Sequence, residues 1–312
     1  MVNDPRLFVD DWMKGKMDAE LLEQHDALRI CEQALADGHT KIIEELGEFL
    51  SNAERAFLDF RRAQMSSEAE DAQECLANAL QMSRTSSERD HLLEARIRME
   101  WGVLRNILGQ SDEAGVDLKW AMERLNALSE GHPWHGVSCL NMAEWHSNKG
   151  EWGMALAIYA NMSRHGPHMM ENVAHSRRRA AEIHIEIDQM MNALRNLWIA
   201  HHGFKESGLV EQAIESGLHW LDLALENVND RHELMKDIVE NATPRSHMEA
   251  KPKLESHPTD VEYMYKWLGK NIVSRKGINR PDLHVLADAA DTLNLEIDIS
   301  GVEDNELLKR YS

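Results

Sequence analysis

Proline is scarce in this chain. Of 312 residues only seven are proline, and none falls between Pro5 and Pro133 or between Pro167 and Pro244. A proline inside a helix costs about 3 kcal/mol, because it removes a backbone N–H and clashes with the preceding turn. Two long proline-free stretches therefore admit long helices. Cysteine is sparser still: Cys31, Cys75 and Cys139 are odd in number and form no C-x-x-C pair. That excludes a disulfide framework and points to free thiols in a reducing compartment. No apolar run approaches the roughly 18 residues of a membrane span. The N-terminus, acidic early and without an apolar core segment, does not read as a signal peptide, so a cytoplasmic location is expected.

Basic charge is also in short supply. Lys and Arg number 34 against 54 Asp and Glu, a formal charge of −20. Phosphate backbones and anionic lipid surfaces both need a basic face, so neither nucleic acid nor a membrane is an expected partner. Catalytic motifs are missing too. There is no H-E-x-x-H, no G-x-S-x-G, no G-x-G-x-x-G and no Walker-type phosphate loop. The densest histidine run is His165, His168, Met169, Met170 and His175. With Met162 it suggests soft-metal ligation. It lacks Asp or Glu at ligand spacing, however, and reads as a polar loop between repeats. Neither a metal nor a cofactor is expected, and the chain is not expected to be an enzyme.

What the sequence does have is a repeat. Ala27-Cys31-Ala34, Ala72-Leu76-Ala79, Ala114-Leu118-Ala121, Ala155-Tyr159-Met162 and Ala193-Leu197-Ala200 recur at offsets of 45, 42, 41 and 38 residues. Twelve residues before each leading Ala stands Gly15, Phe60, Gly102, Ala143 or Ala181. A small residue on one helix, a short turn and a small residue on the next let two helices pack closely and antiparallel. Repetition at about 40 residues marks stacked helix hairpins. Gly109, Gly150 and Asp188 read as the turns. Ile42, Leu46, Phe49, Ala53, Phe57 and Phe60 read as one helical face. Trp134, Trp145 and Trp152 read as packing within one hairpin.

The unit around Met142-Ala143, Gly150, Ala155, Tyr159 and Pro167 resembles a tetratricopeptide repeat. The units Gly102 to Ala121 and Ala181 to Ala200 share parts of that pattern, and the resemblance covers roughly residues 5 to 241. It departs from the pattern at Phe60, Leu22 and Met162. It implies an all-α, right-handed superhelical array of antiparallel hairpins over residues 1–242. A proline-rich linker at 243–258 and a small helical C-terminal module at 259–312 follow. The resemblance further implies a concave groove lined by first helices, which would place Arg96, Met99, Glu144, His175, Arg178 and Glu182 toward a protein or peptide partner. The paired Lys and Asn clamp of chaperone-type repeats is not present. The expected function is a non-catalytic interaction scaffold or adaptor.

The alternative is a regulator whose C-terminal module contacts nucleic acid. Leu283 to Tyr311 resembles helix-loop-helix modules of the SAP type. Against that reading stand Asp288, Asp291, Glu296, Asp298, Glu303 and Asp304.

Overall fold

The computed structural model describes residues 5–16, 27–65, 69–85, 90–128, 132–163, 165–226, 228, 257–272 and 280–297. Among these residues the protein is all-α, with no β-strand. The chain divides into two compact units, Met1–Leu128 and Ser129–Ser312. No helix among the described residues is long and apolar enough to cross a membrane.

The first unit carries α1 (Pro5–Met13), α2 (Ala27–Ala36), α3 (Thr40–Leu46), α4 (Asn52–Met65), α5 (Ala69–Thr85), α6 (His91–Ile107) and α7 (Ser111–Leu128). α4 packs on α5 and α6 on α7 as adjacent pairs. The small-residue pattern is the reason. Gly102 on α6 faces α7 so closely that a Cβ there would lie 2.7 Å from Leu118 Cγ and 3.1 Å from the Ala114 carbonyl oxygen. Ala72, Leu76, Ala79, Ala114, Leu118 and Ala121 are all buried. Phe60, the exception to the small-residue rule, is also buried and packs its ring 5.7 Å from Phe57. Gly15 does no such packing: it sits after α1 at φ 64° with open space where a Cβ would be.

One expected face is broken. Ile42 and Leu46 belong to α3, while Ala53, Phe57 and Phe60 belong to α4, and Phe49 between them is exposed. The break is a capping box. The Glu54 N–H donates to Ser51 Oγ (3.2 Å), and the Ser51 N–H donates to Glu54 Oε2 (2.7 Å). Two orphan donors are satisfied reciprocally, so a new helix starts where one continuous helix was expected.

The second unit carries α8 (Pro133–Asn148), α9 (Trp152–Asn161), α10 (Met170–Glu186), α11 (Met190–Glu206), α12 (Val210–Leu225), α13 (Pro258–Ile272) and α14 (Arg280–Leu293). α8 pairs with α9 and α10 with α11. Ala143, Ala155, Tyr159, Ala180 and Ile183 form one buried cluster. The expected turns hold: Gly150 has φ 73° and Asp188 φ 55°. α8 begins at Pro133. Pro133 fills the first helical position, where its missing N–H is no loss, and His132 caps it by accepting from the Trp134 N–H (3.3 Å). Trp152, expected to pack, is exposed at the start of α9.

The C-terminal boundary expected near residue 259 does not coincide with a break in packing. Val261, Met264, Leu268 and Ile272 of α13, with Leu286 and Ala289 of α14, share one buried cluster with Trp198, Trp220 and Leu221. Gly217 on α12 makes the approach possible, since a Cβ there would sit 3.0 Å from Met264 Sδ and 3.0 Å from His201 Nδ1. Of the linker expected at 243–258, residues 243–256 lie outside the described residues, as do Arg231–Asn241 and Asn305–Tyr311, which the sequence reads as helices; Pro258, placed in the linker, instead begins α13.

The close pairs give a direct check. Gly102→Ala and Ala143→Leu each force bulk between close-packed helices, with an expected loss of about 1–3 kcal/mol in urea unfolding. Glu123→Gln, an exposed α7 substitution, is expected within about 0.5 kcal/mol of the parent. Glu151 cannot serve as that control, because its carboxylate bonds His146 Nδ1 at 2.6 Å. Two Gly102 and Ala143 variants as stable as the parent would remove the small-residue account.

Candidate functional site

In the second unit, α8, α10 and α12 are joined side by side by ion pairs. Arg178 Nη1 donates to Glu215 Oε2 of α12 (2.5 Å), and its Nε lies 3.7 Å from Glu182. Arg179 Nη1 donates to Glu182 Oε2 (2.9 Å), and its other arm lies 3.8 Å from Glu144 of α8. The result is a charged ladder, Glu144–Arg179–Glu182–Arg178–Glu215, across three helices. It places Glu144, Arg178 and Glu182 together. Exposed pairs of this kind add little stability, commonly under about 1 kcal/mol.

The run Arg177-Arg178-Arg179 goes three ways. Arg177 turns inward, and its Nη2 donates to the Met162 carbonyl oxygen (2.9 Å). Burial pushes its pKa down to about 10. Arg178 and Arg179 make the ladder. His175, one turn earlier, packs edge-on against Phe204 with ring centroids 4.8 Å apart. Burial lowers its pKa, and Arg178 and Arg179 lower it further while Glu171 opposes them. His219 of α12 is exposed at its edge, yet desolvation lowers its pKa too, with Glu182 and Asp222 pulling the other way and Arg178 adding to the lowering. Sequence reasoning missed Glu215 and His219.

Two expected groove residues are not on a surface. Met99 has no exposed surface and Arg96 is 3% exposed, both within the first unit. Arg96 Nη2 donates to both Glu32 oxygens (2.9 and 2.7 Å), and its guanidinium lies 5.0 Å from the Phe57 ring centroid. Arg61 joins the same carboxylate by Nε (3.0 Å) and reaches Glu100 Oε1 by Nη2 (2.7 Å). Burial by itself would lower the Arg61 pKa, but Glu100 and Glu32 outweigh it and raise it. This network ties α2, α4 and α6 together and is structural. Arg96 and Met99, expected toward a partner, are instead buried in packing within their unit.

A second group in unit two collects aromatic and basic side chains from α11 and α13. Lys205 Nζ donates to the Tyr263 hydroxyl (3.1 Å) and lies 5.7 Å from the Trp267 ring centroid. His202 stacks on Tyr263, and His201 meets Trp267 edge-on at 4.5 Å. His201 is fully buried, with Nδ1 2.9 Å from the Ala213 carbonyl oxygen. Burial pushes its pKa down to about 4, and Lys205 adds to that effect against the Ala213 hydrogen bond.

Among the described residues, a group able to hold a metal lies elsewhere in the second unit. His135, Cys139 and His168 bring three ligand atoms within 4.8 Å of one another. The free Cys139 thiol is buried, and burial pushes its pKa up to about 11. Of the sequence's histidine–methionine run only His168 takes part, and its companions come from α8. The missed signal was the His135–Cys139 spacing of four, which aligns two side chains only once Pro133 is read as a helix start.

No family model matches the chain. No curated protein matches it either. Among solved structures, the crystal structure of BtubC (BKLC) from P. vanneervenii is similar at a TM-score of 0.34 and 14% identity, over 86% of this chain and 87% of that one.

Proposed function

We propose that the protein is a non-catalytic interaction scaffold that binds a protein or peptide segment on the face formed by α8, α10 and α12. One observation carries this reading: the ladder from Glu144 to Glu215 makes neighbouring hairpins present one continuous, partly exposed surface of alternating charge. Charges of both signs on a rigid helical frame suit exchange with a partner's own charges. The hairpin pairs and their small-residue contacts support a tetratricopeptide-like, right-handed superhelical arrangement. A cytoplasmic setting fits the free thiols.

The alternative reading, a regulator touching nucleic acid through its C-terminal module, finds no support in α13 and α14. α13 spends its apolar face on the core of its unit, and α14 carries Asp288 and Asp291.

The test is charge reversal. Arg178→Glu sets a carboxylate beside Glu182 and Glu215 while leaving the core untouched. Far-UV circular dichroism is expected to match the parent. Association with proteins captured by the parent chain is expected to slow and to change its salt dependence. Equal capture by parent and variant at low salt would return Arg178 to an ordinary solvated face.

A further inference from the structure

His135 and Cys139 stand one turn apart on α8, and the loop before α10 lays His168 against them. We propose that these three residues bind one transition-metal ion of the zinc class, leaving a fourth coordination position for water or an incoming donor.

The distances support it. A tetrahedral ion with bonds of about 2.3 Å to sulfur and about 2.0–2.1 Å to nitrogen holds its ligand atoms about 3.4–3.6 Å apart. Cys139 Sγ and His135 Nε2 are already 3.5 Å apart. The His168 ring lies 5.0 Å from the His135 ring, centroid to centroid, tilted by 42°. All three ligand atoms fall within 4.8 Å. Only His168 must draw in, by roughly an ångström on the same geometry. It is the one ligand of the three that lies on a loop and not on a helix.

The frame around the three is fixed. The Asn172 side chain, in the first turn of α10, donates to the Pro133 carbonyl oxygen (3.1 Å). It occupies the space a Cβ at Gly136 would need. The N-terminal turns of α8 and α10 are thereby clamped together, one residue from His135 and four from His168. Ser138 Oγ donates to the His135 carbonyl oxygen (2.7 Å) and adds to the rigidity of that turn.

The donor set selects the ion. Magnesium and calcium take oxygen ligands, and none of the three residues supplies one. One thiolate with two imidazoles suits zinc and its soft or borderline neighbours. His135 and Cys139 are each 7% exposed, so an ion there is largely shielded from competing water. Bound, it would join the 165–169 loop to α8.

The experiment uses the full chain, stripped with a chelator and reloaded. One equivalent of Zn²⁺ per chain is expected by metal analysis. With Co²⁺ as the probe, a thiolate-to-metal charge-transfer band is expected in the near ultraviolet. Cys139→Ser should abolish that band, whereas Cys31→Ser and Cys75→Ser should keep it. His168→Asn, a loop substitution that leaves the helix core alone, should weaken Zn²⁺ binding by roughly tenfold or more through loss of one of three ligands. Zn²⁺ should raise the melting temperature of the parent and not of His168→Asn. A parent that binds no more Zn²⁺ than His168→Asn overturns the proposal, as does a cobalt band that survives in Cys139→Ser. If Cys139→Ser fails to fold, the His168→Asn comparison decides alone.

Discussion

Arg61→Ala is expected to lower the stability of the first unit by about 3 kcal/mol, the lower end of the range for breaking a buried ion pair. The lower end applies because the Arg61 side chain keeps 20% of its surface in water. The guanidinium is the joint between Glu32 of α2 and Glu100 of α6, and it also covers the faces of Phe57 and Phe60 at 5.1 and 5.5 Å. Its removal leaves Glu100, only 8% exposed, without that cation. The cost is chiefly that of a stranded carboxylate. Arg61→Lys should lose less, since it retains the charge but not the two-armed geometry. Urea unfolding of both variants checks this. A loss under about 1 kcal/mol for Arg61→Ala would place the network among surface pairs of little consequence.

Acid is expected to weaken the second unit by about 3 kcal/mol between pH 6.5 and pH 4, through His201 alone. Its pKa in the folded protein is pushed down to about 4 against an ordinary value of 6.5. Above pH 6.5 the imidazole is neutral in both folded and unfolded chains, and the stability is fully present. Between the two values the unfolded chain takes a proton that the folded one refuses, so stability falls as pH falls. Below pH 4 both forms are charged and the loss levels off. Burial lowers His175, His184 and His219 in the same sense, which steepens the acid limb. Unfolding midpoints at a series of pH values, for the parent and for His201→Asn, measure the share of His201. An unchanged acid limb in the variant would assign the effect to other groups.

The helix pairs were legible because close packing leaves a mark in composition. Gly102, Ala143 and Ala181 had to be small, and Gly109, Gly150 and Asp188 had to tolerate positive φ. The break at Phe49 was written in Ser51 and Glu54 but was masked by a hydrophobic spacing that ran straight through it. On the charged face, Arg178 and Glu182 were placed only by the repeat resemblance, which set both on a first helix toward a groove. Glu215 was not, since nothing local to α12 says which neighbour it will meet. For the same reason Arg96 looked exposed: only the fold sets Glu32, 64 residues away, against it. His135, Cys139 and His168 meet through a loop closure that no spacing rule within one helix can show.

The participation of α13 and α14 in the core around Trp220 sets an order of events during synthesis. Translation delivers about 5–20 residues per second. The apolar side of α12 therefore leaves the ribosome several seconds before Met264, Leu268 and Leu286 exist to cover it. The first unit has no such wait, because its buried cluster from Phe8 to Ile97 is complete within its own segment. The nascent chain thus passes through a stage in which one half can be folded while the other still shows Trp220 and Leu221 to the cell's chaperones. A stop codon near residue 243 would make that stage permanent.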